Sequence, residues 1–156
     1  MSVFSILYAY EGLDDRMARY YRLIADTFRD DEEAARLFTS LGNDESQHML
    51  IVADTLADYK KSPGSFQPID VDIDTLSRIL DRVDAEIYSD RTETMEDAMK
   101  FAMDMEVNCA ELSNAIDLAY ANPSSGRFHR IVLEDQAHLI KLLDFAESRR
   151  MAARPG

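Results

Sequence analysis

The sequence predicts an all-α fold built from four long helices. Apolar residues recur at steps of three and four along most of the chain, which is the period of a buried helix face. Glycine and proline are scarce, at five and four among 156 residues, and Ala, Leu, Met and Glu favour helices. Because this length is that of one ordinary domain, we expect a single domain over residues 1–156.

The first two predicted helices form a hairpin. The first covers roughly residues 3–29, and the second runs roughly over 31–60. Between them, Asp30 and Asp31 suit the start of a helix, where a carboxylate can accept backbone hydrogen bonds. Because the connection is short, we expect these two helices to be antiparallel neighbours.

A break in the chain follows the first hairpin. The segment KSPGSFQPID (61–70) contains two prolines and a glycine, which end helices. A shorter amphipathic piece covers about residues 76–87, and SDRTET (89–94) leads into the third long helix. The connection between the second and third helices is therefore long enough to return along the bundle. This predicts a four-helix bundle with one long crossover.

The last two long helices form a second hairpin. The third begins after Thr94, which with Asp97 resembles a capping box, and ends near NPSSG (122–126). The fourth carries an apolar stripe between Phe128 and Phe145. The short connection again predicts an antiparallel pair.

Charge and hydropathy exclude several classes of partner. The net charge of −13 argues against nucleic acid, whose binding needs Lys and Arg, and disfavours anionic membrane surfaces. No stretch is long enough to span a bilayer, and the apolar run VFSILYAY lacks the basic start of a signal peptide. We therefore expect a cytoplasmic protein. Apolar columns containing Phe4, Tyr8 and Ile51 favour a homodimer.

The second and fourth helices carry the same pattern, shifted by 90 positions. The matching residues are Phe38, Leu41, Glu45, His48 and Val52 in the second helix, and Phe128, Ile131, Asp135, His138 and Leu142 in the fourth. In each copy a carboxylate precedes a histidine by three residues, so both lie on one helix face. Asp14 and Glu106 precede these acids within their hairpins. Two such hairpins, related by a pseudo-twofold axis, would bring both pairs to one point.

Columns of residues seven apart indicate which acids face inward. The columns of Asp14, Glu45 and Asp135 are otherwise apolar or aromatic, and that of Glu106 is mainly apolar. Glu134 shares its column with Arg127 and Lys141, so we expect it on a solvated face. Four buried carboxylates cannot all stay charged without cations. Together with two histidines they predict two divalent metal ions, with iron, manganese or zinc favoured over calcium.

The pattern resembles the rubrerythrin branch of the ferritin-like superfamily. Diiron bundles of this type use one Glu from each of two helices and Glu-x-x-His from the other two. The segments that carry the resemblance are DDRMARYYRLIA (14–25), FTSLGNDESQH (38–48), DAMKFAMDME (97–106) and FHRIVLEDQAH (128–138). The resemblance implies a ferritin-like bundle with metal ligands at Asp14, Glu45, His48, Glu106, Asp135 and His138.

The resemblance also implies roles for neighbouring residues. Tyr21 matches an aromatic residue that often hydrogen-bonds near such a site, and it is the candidate catalytic side chain. Asp14 and Asp135 stand where the family has glutamates, and each reaches one methylene less far. Glu11, one turn before Asp14, is therefore a further candidate ligand. Peroxide-reducing members carry another glutamate where this chain has Cys109. Their rubredoxin module needs four cysteines, and this sequence, with one cysteine, does not contain it.

The function implied by the resemblance is that of a non-haem diiron oxidoreductase. Two iron ions, cycling between Fe²⁺ and Fe³⁺, would reduce O₂ or peroxide with electrons from an external donor protein, and zinc or manganese would be substitute metals. Two other functions stay open. One is iron binding or storage without turnover, and the other is a structural bundle whose metal site is degenerate.

Overall fold

A computed structural model of the chain describes residues 2–89, 93–120 and 126–151. The described residues form five α-helices and a short 3₁₀ turn, with no strand among them, so the predicted all-α class is confirmed. The helices are α1 (Val3–Thr27), α2 (Glu32–Lys61), α3 (Ile73–Ile87), α4 (Met95–Ala119) and α5 (Arg127–Ser148). None of the helices within the described ranges combines the length and apolar character needed to cross a bilayer.

The helix ends lie within about three residues of the predicted ends. Asp31 caps α2 by accepting a hydrogen bond from the Ala34 amide, and Thr94 caps α4 in the same way. Gly126 precedes α5 with a left-handed φ of 55°, a conformation that favours glycine. Of the predicted connections, residues 90–92 and 121–125 lie outside the described ranges.

The first hairpin is antiparallel, as predicted. Lys60, at the end of α2, lies over the ring of Phe4 at the start of α1. Near the other end of α1, the Arg22 guanidinium donates a hydrogen bond to Ser46 in the middle of α2. The two helices pack closely at Gly42, where a Cβ atom would lie 3.4 Å from the Ala18 carbonyl oxygen.

The second hairpin is also antiparallel and packs along the first. Asp117, near the end of α4, pairs with His129, near the start of α5, and Oδ2 of the aspartate is 2.9 Å from Nδ1 of the histidine. Ion pairs then join α2 to α5 at both ends. Arg149 pairs with Asp31 at one end, and Arg127 pairs with Asp58 at the other. These pairs fix α2 and α5 as antiparallel neighbours.

One continuous apolar core occupies the space between the long helices. The shorter helix α3 contributes Leu76, Ile79 and Val83 to this core and is joined to α1 by the ion pair of Asp84 with Arg16. The segment between α2 and α3 contacts the end of α4 because Phe66 stacks on Tyr120. The described residues thus form a helical bundle in which the long helices α1, α2, α4 and α5 surround the core.

Candidate metal centre

Six ionisable side chains lie in the middle of the apolar core. All are at most 1% exposed, so the prediction that they point inward is confirmed. They come from all four long helices: Asp14 from α1, Glu45 and His48 from α2, Glu106 from α4, and Asp135 and His138 from α5. The repeat therefore brings its two acid–histidine pairs to a common place.

The carboxylate of Glu45 lies between the two histidines. The imidazole rings are stacked, with centroids 5.6 Å apart and planes inclined by 18°. Oε2 of Glu45 is 3.4 Å from Nδ1 of His48, and Oε1 is 3.4 Å from Nδ1 of His138. On the other side, Asp135 Oδ1 is 3.6 Å from His48 Nδ1, and Glu106 Oε1 is 3.4 Å from His138 Nδ1.

The donor atoms fall into two overlapping groups. Within each group, the atoms lie within 4.8 Å of one another, which is compact enough to surround one cation. The larger group contains Glu45, Glu106, Asp135 and His138, and the smaller contains Asp14, Glu45 and His48. Glu45 belongs to both groups, so two cations bound here would share it.

Eight buried side-chain atoms in the centre have no hydrogen-bond partner. Among the described residues, every unpartnered buried side-chain atom belongs to one of the six residues above. The eight atoms are both oxygens of Asp14 and of Glu45, Oε2 of Glu106, Oδ1 of Asp135, and Nδ1 of His48 and His138. An unsatisfied buried polar group costs roughly 1–3 kcal/mol, so such a concentration is unusual in a core that has only a structural role.

The outer nitrogens of the two histidines are held by acids from the opposite hairpin. Nε2 of His48 is 2.7 Å from Oε2 of Glu134 on α5, and Nε2 of His138 is 3.1 Å from Oδ2 of Asp44 on α2. When the imidazole is neutral and its Nε2–H donates to a carboxylate, Nδ1 carries a lone pair that faces the centre. Both histidines are therefore oriented as metal-binding histidines usually are.

The expectation that Glu134 is simply solvated was wrong. Its side chain is 29% exposed because it reaches across to His48 while also accepting a hydrogen bond from Arg130. Asp44 was not identified from the sequence. Each of these acids directly precedes an inward acid, Glu45 or Asp135, at the same 90-residue shift. The doubled acids were the available signal.

Hydroxyl groups hold two of the inward carboxylates. Tyr21 donates to Oε1 of Glu106, which is the hydrogen bond near the site that was expected of it; its catalytic role stays a prediction. Tyr10 and Ser113 both donate to Oδ2 of Asp135, at 3.1 and 2.7 Å. Tyr10 and Ser113 had no predicted role, because their positions in apolar helix columns indicated only burial.

Glu11 was predicted to be a further ligand, but it does not join the centre. It is half-buried, and neither group of close donor atoms contains it. The side chain that reaches the centre from this turn of α1 is that of its neighbour Tyr10, whose hydroxyl contacts Asp135. Cys109 is a buried free thiol whose pKa is raised by burial and by the nearby carboxylates.

Burial makes protonated acids favourable in the metal-free centre. Burial, together with the charges of Glu45 and Asp135, raises the pKa of Asp14 well above its usual range. Burial and the charges of Glu45 and Glu106 likewise raise the pKa of Asp135 to about 8. Without cations, the centre therefore limits its negative charge by holding protons.

The histidines are charged in the metal-free centre. Burial lowers the pKa of His48, but Glu45 and Asp135 outweigh this effect and raise it to about 9. Burial also opposes a charged His138, yet Glu106 and Glu45 raise its pKa to about 11. Burial favours neutral Glu45, but the two imidazolium groups lower its pKa to about 2. A cation that binds Nδ1 of either histidine must displace a proton.

Comparisons with known proteins do not assign the chain to a family. No protein-family model, no curated protein and no solved structure matches it. The description of the centre therefore depends on its own geometry, that is, on buried carboxylate oxygens and imidazole nitrogens at distances compatible with metal binding.

Proposed function

We propose that this protein binds two iron ions and acts as a rubrerythrin-like oxidoreductase that reduces O₂ or peroxide. The observation that carries the proposal is the set of eight unpartnered buried atoms, all on the six residues of the centre. The sequence resemblance to rubrerythrins contributes the choice of iron and the type of reaction. Zinc or manganese would bind the same donors.

The residues present fit two divalent cations. When deprotonated, the four buried carboxylates carry four negative charges, which two divalent cations would neutralise. Imidazole nitrogen mixed with carboxylate oxygen suits iron, manganese and zinc. The histidines are already oriented through Glu134 and Asp44, so binding requires little rearrangement of the rings.

Bound iron would supply one electron per ion to the oxidant, and an external donor would return these electrons. The chain's own residues prepare the site for this chemistry. Glu45 belongs to both donor groups, so it would help to hold either cation. Tyr21 places a phenolic proton against Glu106, and the surrounding apolar core limits the access of water. Glu134 and Asp44 keep the lone pairs of the histidines directed inward.

The proposal includes the finer fold and the partners. A ferritin-like bundle is supported by the antiparallel pairs α1/α2, α4/α5 and α2/α5, and by the long connection that contains α3. A homodimer would cover the exposed side chains of Phe4 and Tyr8, which are 39% and 65% exposed. The electron donor would be a separate protein, since one cysteine cannot form a four-cysteine iron site.

Metal analysis tests the proposed centre directly. Protein expressed in iron-rich medium is expected to contain two iron ions per chain. The double variant His48→Ala/His138→Ala should lose this iron while keeping its helical circular dichroism spectrum. His129→Ala is the matched control because His129 is 59% exposed and pairs with Asp117. An unchanged iron content in the double variant would contradict the assignment.

Oxidation of the loaded protein separates the candidate functions. Anaerobic Fe(II) protein is mixed with O₂ or peroxide, with and without a chemical reductant, and the oxidation state is followed by absorption. Repeated turnover in the presence of reductant supports the oxidoreductase. A single oxidation with retained iron supports storage instead, and protein that never takes up metal supports the structural bundle.

A further inference from the structure

The four carboxylates of the centre differ in how firmly they are held. Those of the first hairpin, Asp14 and Glu45, have no hydrogen-bond partner on either oxygen. Those of the second hairpin, Glu106 and Asp135, each have one oxygen fixed by a hydroxyl group. The pseudo-twofold symmetry of the ligands therefore does not extend to the groups that hold them.

Both tyrosine donors come from α1, although they fix acids of the other hairpin. Tyr21 lies two turns after Asp14 and donates to Glu106, whereas Tyr10 lies one turn before it and donates to Asp135. Both tyrosines are almost completely buried, so water does not compete for their hydroxyls. Packing also restrains the rings, because Tyr10 contacts Phe128 and Tyr21 contacts Phe38.

Asp135 is the most constrained of the four acids. Its Oδ2 accepts two hydrogen bonds, from Tyr10 and Ser113, and only Oδ1 is left for a cation. Glu45, by contrast, directs one oxygen to Nδ1 of each histidine, and neither oxygen is held by a hydroxyl group. Of these two acids, only Glu45 could therefore contact both cations through separate oxygens.

We propose that these hydroxyl groups make the two cation sites unequal. The site formed by the larger donor group, with Glu45, Glu106, Asp135 and His138, is prepared in advance and binds the first divalent cation tightly. The site formed by the smaller donor group, with Asp14, Glu45 and His48, has fewer donors, and the carboxylate of Asp14 is not held by any hydrogen bond. This site therefore binds the second cation more weakly. Tyr10, Ser113 and Tyr21 are positioning residues that set this order. The inference rests on the proposed metal function and specifies how that centre is filled.

The physical reason is preorganisation of the ligands. A carboxylate already fixed by a neighbouring donor loses less conformational freedom when it binds a cation. The larger group offers four residues within 4.8 Å of one another, against three in the smaller group. Both effects favour the same half. The half with Asp14 then has an incomplete protein ligand set, which leaves a position for a small oxygen-containing substrate.

Titration of the metal-free full-length protein with cobalt(II) tests the proposal. Calorimetry and the visible absorption of Co(II) are expected to show two steps of one equivalent each, separated by at least about tenfold in affinity. Asp14→Asn should keep the first step and lose the second. Tyr10→Phe/Ser113→Ala should weaken the first step about 10–100-fold, as expected for lost support of a metal ligand. Tyr8→Phe, on an exposed position of α1, is the control.

Three results would overturn the unequal filling: two equivalents bound in one step by the wild type, loss of the first step in Asp14→Asn, or an unchanged first step in Tyr10→Phe/Ser113→Ala. Tyr21→Phe, which frees Glu106 instead, provides a second test should the double variant fail to fold, and it too must weaken the first step. A wild type that binds no metal overturns both this inference and the proposed function, whereas loaded Fe(II) protein that does not turn over contradicts the proposed function alone.

Discussion

Replacing Asp14 with leucine should stabilise the metal-free protein and weaken its metal binding. Asp14 is fully buried, and neither of its oxygens has a hydrogen-bond partner. Leucine has the same branched heavy-atom skeleton with bulkier methyl groups, so it removes the unsatisfied carboxyl without opening a cavity. An unsatisfied buried group costs roughly 1–3 kcal/mol, and we expect a gain of this size in the free energy of unfolding. For a chain of this length, that corresponds to an increase in Tm of roughly 2–12 °C.

The assay is urea and thermal denaturation at neutral pH with a chelator present, followed by circular dichroism. The matched control is Asp26→Leu on the same helix, where the aspartate is exposed and the change should stay within about 0.5 kcal/mol. Adding metal should reverse the order of stability, because cations stabilise the wild type by binding its folded state and the variant has lost a ligand.

One result would refute this reasoning. If Asp14→Leu and the smaller Asp14→Val both destabilise the metal-free protein by more than about 1 kcal/mol, the carboxyl group makes a favourable interaction within the core. The buried acids would then be part of an ordinary polar network, and the argument from unpartnered atoms would no longer support a metal centre.

Two further predictions follow from the surroundings of the centre. In the metal-free protein, the pKa values of Asp135 and His48 are about 8 and about 9, above those of the unfolded chain. The folded state thus binds these protons more tightly than the unfolded chain does. The free energy of unfolding should therefore fall as pH rises from about 5 to 9, by about 1.4 kcal/mol per pH unit for each titrating proton. Thermal midpoints that rise over this pH range would contradict the prediction. Separately, Glu134→Gln and Asp44→Asn should each weaken metal affinity about 10–100-fold in a competition assay with a coloured chelator, whereas the exposed control Glu111→Gln should not.

The helices and the inward acids could be predicted because both depend on local periodicity. A stripe at steps of three and four identifies the buried face of a helix from its own residues alone. Asp14, Glu45 and Asp135 interrupt such stripes, and their burial is confirmed. The 90-residue repeat added the information that Glu45 and Asp135 belong to one centre. The ferritin-like topology and the iron chemistry stay predictions.

The supporting residues could not be predicted because their contacts cross between helices. Glu134 shares a helix column with Arg127 and Lys141, which suggested a solvated face. Its position beside the buried face of α5 nevertheless lets its side chain reach His48. Tyr10 and Ser113 lie in mainly apolar columns, where a hydroxyl looks like any other buried group. Their bonds to Asp135 depend on how the two hairpins are placed relative to each other, and periodicity does not report this.

The crossed support of the histidines has a consequence for how the chain matures. His48 and Glu134 are 86 positions apart, and His138 and Asp44 are 94 apart. Contacts between such distant residues form late in folding, because long stretches of chain must first be brought together. During synthesis, the first hairpin emerges with an unsupported histidine and half of the acids. Capture of a cation would therefore be the final event of folding and would mark a molecule whose two halves have docked.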